Sequence, residues 1–330
     1  MDGNGLAWSS EDNGDMRSWL LPSVLSAVML VGPALAAPEP AIPALLKRAD
    51  QYAVVALGEN HWSQARGRFY QSLVRTPGFA ERFNTVVLEC GNSRYQATLD
   101  RYMNGEEVSY QEISHVWRDT TKAVGWESPI YADLLAAIRD VNRGLPAGQK
   151  IRVLAADAPI DWSKVANHSD WESALAGNDF FASVIQQEVL AKNHRALVIM
   201  GANHVTRAKG WHGETTVTGL LEKGARHSVY VVLLWGLDIK TDPEVTAIPP
   251  PVFYPLAGTR LGKTNYFGHR AEEVADAYIY LGSSDGVVLP DWSELEKDKT
   301  YWTVLERRHQ IEFGCPLDPV RWNRQQRPCP

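Results

Sequence analysis

The chain has 330 residues, a hydrophobic fraction of 45%, a charged fraction of 22% and a formal net charge of -6. That length can bury a substantial core, and the composition is that of an ordinary globular protein. The acidic balance, without a long Lys/Arg run, argues against nucleic acid as a partner. Twelve tryptophans are consistent with an aromatic-lined cleft and equally with core packing.

The first 36 residues read as an address. Arg17 precedes an apolar stretch from Trp19 to Val31, and Ala34-Leu35-Ala36 follows. Charge, apolar run and A-x-A site in that order are the pattern of a secretory signal peptide. The apolar run is short and interrupted by proline, so no stable membrane span is expected. The polar, acidic residues 1–15 do not suit a signal peptide, which makes Met16 the expected natural start. The mature chain would begin near Ala37 and work in the periplasm or outside the cell. Residues 37–312 are expected to form a single α/β domain, with 313–330 as a C-terminal tail.

Short apolar runs then recur along the chain: Ala53–Leu57, Thr85–Leu88, Ile151–Ala155, Ala196–Met200, Val229–Leu234 and Ala277–Leu281. Each is rich in Val, Ile and Leu and does not alternate strictly, as buried central strands do not. Helical stretches are expected between them at Ser63–Leu73, Ser93–Met103, Tyr110–Lys122, Tyr131–Asn142, Asp179–Lys192 and Val217–Glu222. Ser93 and Asp179 serve as N-caps in this reading and Gly144 as a C-cap. Asp161 and Trp162 are read as a helix start, and the Pro-rich stretch from Pro249 to Pro255 as a surface loop or change of layer. The alternation predicts the α/β class, with a mainly parallel central sheet covered by helices on both faces. At the C-terminus, Cys315 and Cys329 flank a Pro- and Arg-rich segment and are expected to pair. Cys90 ends an apolar run and is expected to be a buried free thiol.

The strand ends carry the chemistry. The first run closes in Gly58-Glu59-Asn60-His61 and the fourth in Gly201-Ala202-Asn203-His204, the same G-x-N-H tetrapeptide twice. The second run ends in Glu89 and the third in Asp157. In an open parallel sheet, ligands bind outside the carboxyl ends of the strands, so these loops would gather His61, His204, Glu89 and Asp157 at one edge. Two imidazoles and one or two carboxylates can ligate zinc, manganese or iron. The same groups can work without metal, with His61 as general base, a carboxylate orienting it and Asp157 holding one imidazole in its working tautomer. Arg94 is a candidate anchor for an anionic group or a developing oxyanion. Arg118 and Trp126 are candidates for the substrate wall. Glu59 either assists His61 or caps the following helix.

The segments VVALGENHWSQ, VVLECGNSRYQ, VLAADAPIDW and VIMGANHVTR, in this order between Ala53 and Arg207, resemble the erythromycin esterase, haem-uptake and Tiki-like superfamily. The resemblance implies an α/β sandwich with its site at one sheet edge. It implies either a hydrolase in which His61 activates water, supported by Glu89 and His204, or a metal-dependent peptidase using His61, Glu89 and His204 as ligands. A third implied function is haem or iron binding in the same cleft. Trp62 stands where the esterase pattern has glycine and the Thr before His61 is missing, so macrolide lactone hydrolysis is not implied. The expected function is an exported hydrolase acting on an ester, lactone or peptide bond of a small-molecule or peptide substrate. The alternative is a haem- or iron-binding protein.

Overall fold

The β-branched runs pair side by side. In the computed structural model, which describes residues 37–124, 126–224, 228–237, 239, 248–282, 286–324 and 329, all six become strands of one sheet. The expected signal segment and the proposed start at Met16 lie outside the described residues. All described residues belong to one compact unit, Leu35–Pro330.

The strands are β1 (Glu39–Pro40), β2 (Val54–Glu59), β3 (Thr85–Asn92), β4 (Arg152–Asp157), β5 (Ala196–Gly201), β6 (Val229–Leu233), β7 (Val252–Pro255) and β10 (Ala277–Tyr280), with a separate hairpin of β8 (Asn265–Tyr266) and β9 (His269–Arg270). The large sheet runs β1-β7-β10-β6-β2-β5-β3-β4. From β10 to β4 every neighbouring pair is parallel. Near one edge β7 alone is reversed, pairing antiparallel with both β10 and β1.

The lack of alternation in the strand sequences has a direct cause. Val55, Leu57, Val86, Leu88, Leu197 and Ile199 face one apolar layer, whereas Val54, Ala56, Val87, Val198 and Met200 face the other. Both faces are buried, so both sets must be apolar. Helices α1 (Ala41–Ala49), α2 (Gln64–Val74), α4 (Gln96–Asn104), α5 (Tyr110–Arg118) and α6 (Pro129–Arg143) contribute to the first layer, with the short α3 (Phe79–Arg82) beside them. Helices α8 (Gly177–Glu188), α9 (Ala202–Val205) and α10 (Val217–Leu221) contribute to the second. Two smaller apolar clusters, around Trp292 and Leu305 and around Trp162 and Trp171, join the C-terminal helices to the loops after α5 and β4.

Several local expectations need correction. The Pro-rich stretch contains the buried strand β7, in which Val252, Phe253, Tyr254 and Pro255 pair with Tyr280, Ile279, Tyr278 and Ala277 of β10. Ser93 does not cap a helix: it begins a 3-10 turn capped by the Asn92 side chain, and α4 starts at Gln96. Asp179 lies inside the first turn of α8. Asp161 and Trp162 sit in a turn, and the first helix after β4 is α7 (His168–Ala174), capped by Asn167. Gly144 closes α6, Cys90 is a buried free thiol, and Cys315 is disulfide-bonded to Cys329.

Candidate active site

Three adjacent parallel strands, β2, β5 and β3, deliver the central groups. After Glu59 the chain leaves β2 through His61 and Trp62, both in the left-handed region with φ of 58° and 54°. For bulky residues that conformation is strained and rare. It is held by several contacts: the Val288 N–H donates to Trp62 O at 2.6 Å, Arg66 donates to the His61 carbonyl and to Asn60, and Ser63 caps α2.

The His61 ring is fixed from behind. Its Nδ1 lies 3.0 Å from Glu59 Oε1, so Nδ1–H donates and Nε2 keeps its lone pair. Glu59, only 3% exposed, also accepts from the Tyr131 hydroxyl at 2.7 Å and the Tyr70 hydroxyl at 2.6 Å. Burial pushes its pKa up, but the bonds from His61, Tyr70 and Tyr131 and the imidazole charge prevail and lower it.

His204 is anchored in the same way by a different residue. Its Nδ1 lies 2.7 Å from Asn178 Oδ1, while the Asn178 amide donates to Thr215 O at 3.0 Å. The amide oxygen therefore faces the ring and Nε2 is again the open nitrogen. Both Nε2 atoms turn toward one carboxylate oxygen: Glu89 Oε1 is 3.5 Å from His204 Nε2 and 3.9 Å from His61 Nε2. The other oxygen of Glu89 accepts from the Gly201 N–H at 2.6 Å. Burial opposes the charge on Glu89, yet the two imidazoles and the Gly201 N–H hold its pKa at about 2. Burial is the largest single influence and disfavours imidazolium at both histidines, but the charge and hydrogen bonding of Glu89, joined at His61 by Glu59, together raise both pKa values.

The motif glycines have a packing reason. A Cβ on Gly201 would stand 3.1 Å from His61 Nε2 and 3.4 Å from Glu89 Oε2; one on Gly58 would stand 3.0 Å from Val205 Cγ2 and 3.1 Å from Ala202 Cα. The motif asparagines serve the loops: Asn60 accepts from Arg66, and Asn203 accepts from the Trp211 N–H at 2.8 Å.

A cavity of about 250 Å³ opens beside His61 and Glu89, with Trp126 set edge-on to the His61 ring at 4.8 Å. The structure thus places His61, Glu89, His204, Glu59 and Trp126 together. Arg94 and Arg118 pair elsewhere, and Asp157, though near enough to feel the charge of Glu89, is bonded to Thr121. Asp157, 6% exposed, accepts from the Thr121 N–H at 2.6 Å and hydroxyl at 2.9 Å. The imidazoles are oriented by Glu59 and Asn178, not by Asp157. Arg94 pairs with Asp161 at 3.0 Å, and Arg118 with Glu127 at 3.4 Å, lying over the Tyr301 ring at 4.1 Å. Tyr70, Tyr131 and Asn178 carry no sequence signal of their own, since each acts through a partner far along the chain.

The donor set was tested against the expected metal. Among the described residues no group of three or more His, Cys, Asp and Glu side chains is arranged to hold an ion.

No protein-family model and no curated protein matches the chain. Solved structures do. A succinoglycan biosynthesis protein is 10% identical, covering 72% of this chain and 90% of its own, with a TM-score of 0.53. A variant of the erythromycin esterase EreC in its open conformation is 12% identical, covering 74% and 95%, with a TM-score of 0.47. ChaN of Campylobacter jejuni, solved with cofacially bound haem, is 14% identical, covering 72% and 89%, with a TM-score of 0.39. At these identities the likeness is one of fold: an α/β sheet sandwiched by helices.

Two variants report on the site. Gly201→Ala should displace the His61 ring by tenths of an ångström and lower kcat on any substrate about tenfold, with the thermal midpoint nearly unchanged; an undiminished kcat would contradict the close-approach argument. Burial pushes the Asp157 pKa from 3.8 up to about 6 against the bonds from Thr121. The folded chain therefore keeps a proton that the unfolded chain has lost, and stability falls as pH rises from about 4 to 6. Asp157→Asn should abolish that fall and raise stability at pH 7 by on the order of 1–3 kcal/mol, read from denaturant midpoints at the two pH values.

Proposed function

We propose that the chain is an exported hydrolase in which His61 activates water directly, without a resident metal, on an ester, lactone or peptide bond of a small substrate. The observation that carries this reading is the back-anchored His61 ring. Its Nδ1 is bound to the buried Glu59, and its Nε2 is left open beside the cavity. A carboxylate behind an imidazole fixes the tautomer and stabilises the imidazolium formed when the base takes a proton.

This reading implies a sequence of events. A water between the two imidazoles gives its proton to His61 Nε2 as its oxygen attacks the carbonyl carbon. His204, nearer to Glu89 than His61 is, holds the better-supported charge and donates a proton to the leaving oxygen or nitrogen. Glu89 keeps both rings facing the reaction and balances their charge. Export is supported by the charged, apolar, A-x-A order of residues 17–36 and by the Cys315–Cys329 disulfide, which persists in oxidising compartments. The haem- or iron-carrying alternative draws less support. The cavity, at about 250 Å³, falls below the roughly 300–1,000 Å³ usual for larger ligands.

His61→Ala should lower kcat by about 10²- to 10⁴-fold on a panel of small esters and peptides, with the fold intact by circular dichroism. Unchanged hydrolysis would remove the assignment, and a Soret shift on haem titration that disappears in the variant would favour the carrier. The base must be neutral to act, and Glu89 raises its pKa above 6.5. Activity should therefore fall as pH drops through a value above 6.5. In Glu89→Gln the acid limb of kcat/KM should move to lower pH, together with a lower plateau.

A further inference from the structure

Part of the wall of the cavity beside His61 comes from the far end of the chain. Alongside Trp62 and Trp126 it is built by Trp322, inside the loop closed by the Cys315–Cys329 disulfide, and by Phe313, two residues before that loop. Trp322 meets Trp62 edge-on with ring centroids 6.2 Å apart, and meets Phe313 in the same manner at 6.4 Å. Trp62, Phe313 and Trp322 are only partly buried, so ring surface remains for a ligand.

These rings are held in place on several sides. Trp322 lies on the short helix Pro319–Asn323, whose start is capped by Asp318. The Asn323 side chain accepts from Trp292 Nε1 at 2.7 Å, and Arg321 donates to the Cys329 carbonyl at 3.2 Å. Phe313 ends the long helix Lys299–Phe313. Its neighbour Glu312 accepts from the Ala123 N–H at 2.6 Å, fastening that helix to the loop that carries Trp126. Apart from His61 and Glu89 of the site itself, the charged groups on this wall are Lys122 and Glu312, which face each other at 3.7 Å. The wall is aromatic, and its charges are internally balanced.

We propose that Phe313 and Trp322 determine specificity, selecting substrates with a flat, uncharged ring next to the scissile bond, and that the disulfide holds them in position for this. The proposal rests on the reading of His61 as the water-activating base. Indole and phenyl faces around a small cavity favour a ring that stacks or packs edge-on, and burial of apolar ring area supplies the binding. A charged substituent would lose hydration with no unpaired partner on the wall to replace it.

The test compares 2-naphthyl acetate with methyl acetate as substrates, and measures 2-naphthol binding by calorimetry. The full chain is used as wild type, as Trp322→Ala, as Trp322→Leu, and as Cys315→Ser combined with Cys329→Ser. Wild type should prefer the naphthyl ester. In Trp322→Ala and in the disulfide-free variant the ratio of kcat/KM between the two esters should fall about tenfold or more, chiefly through KM, and 2-naphthol binding should weaken in step. Trp322→Leu, which keeps an apolar plug in the wall, guards against a folding defect and should show a smaller loss of the same kind. An unchanged ester ratio with unchanged 2-naphthol binding would overturn the proposal, even if His61→Ala abolishes hydrolysis. Conversely, weakened 2-naphthol binding in Trp322→Ala would sustain the wall while an inactive wild type ended the hydrolase reading.

Discussion

A carboxylate buried at the end of a strand remains ionised only where donors and cations are set to meet it. Around Glu89 that requirement is met from three directions, by the Gly201 N–H and by the two imidazoles, whose Nε2 atoms face it and bring positive charge when the rings are protonated. Each imidazole must in turn be braced on its other nitrogen, and Glu59 and Asn178 do so. Because β5 lies between β2 and β3 in the sheet, the three groups converge only if all three strands run the same way. One shared anion also couples the rings: protonating one imidazole weakens the claim of the other on Glu89, so the pair titrates as a unit.

The backbone after β2 carries a local cost for this arrangement. Two consecutive non-glycine residues in the left-handed region, His61 and Trp62, cost on the order of 1–3 kcal/mol each. The surroundings over-determine the turn, through Val288, Arg66, Asn60 and the Ser63 cap. Strain kept in place by so many partners aims a side chain: an ordinary turn would carry the His61 ring away from Gly201. The Gly201 hydrogen in place of a Cβ completes the approach.

Much of this was legible in the sequence because it depends on local patterns. The six apolar runs give the six parallel strands, since burial on both faces demands continuous hydrophobicity. The grouping of His61, Glu89 and His204 at one edge follows from strand ends alone. What stayed hidden depends on distant partners. Asp157 sits at a strand end like Glu89 but is satisfied by Thr121, a residue of the loop after α5, and nothing in its own neighbourhood announces that. Asn178 reaches His204 from the start of α8, and Tyr70 and Tyr131 reach Glu59 from α2 and α6. The buried strand β7 was masked by its prolines, which read as a loop although Pro251 only precedes the strand and Pro255 is its last paired residue. The tail was legible as a disulfide loop, and its contribution to the cavity wall was not, because that contribution is tertiary.

The repeated tetrapeptide shows how identical letters serve different backbones. Strands β2 and β5 pair with Glu59 opposite Gly201, so the two copies are offset by one residue. After β2 the chain enters the left-handed turn, whereas after β5 it enters helix α9 at once. Gly58 makes room for that helix, and Gly201 makes room for the His61 ring. The copies are therefore alike in what they deliver and unlike in how they deliver it. The one-residue offset and the contrast between turn and helix allow two imidazoles from adjacent strands to face the same oxygen of Glu89 from different sides, where two superimposable loops would have set them side by side.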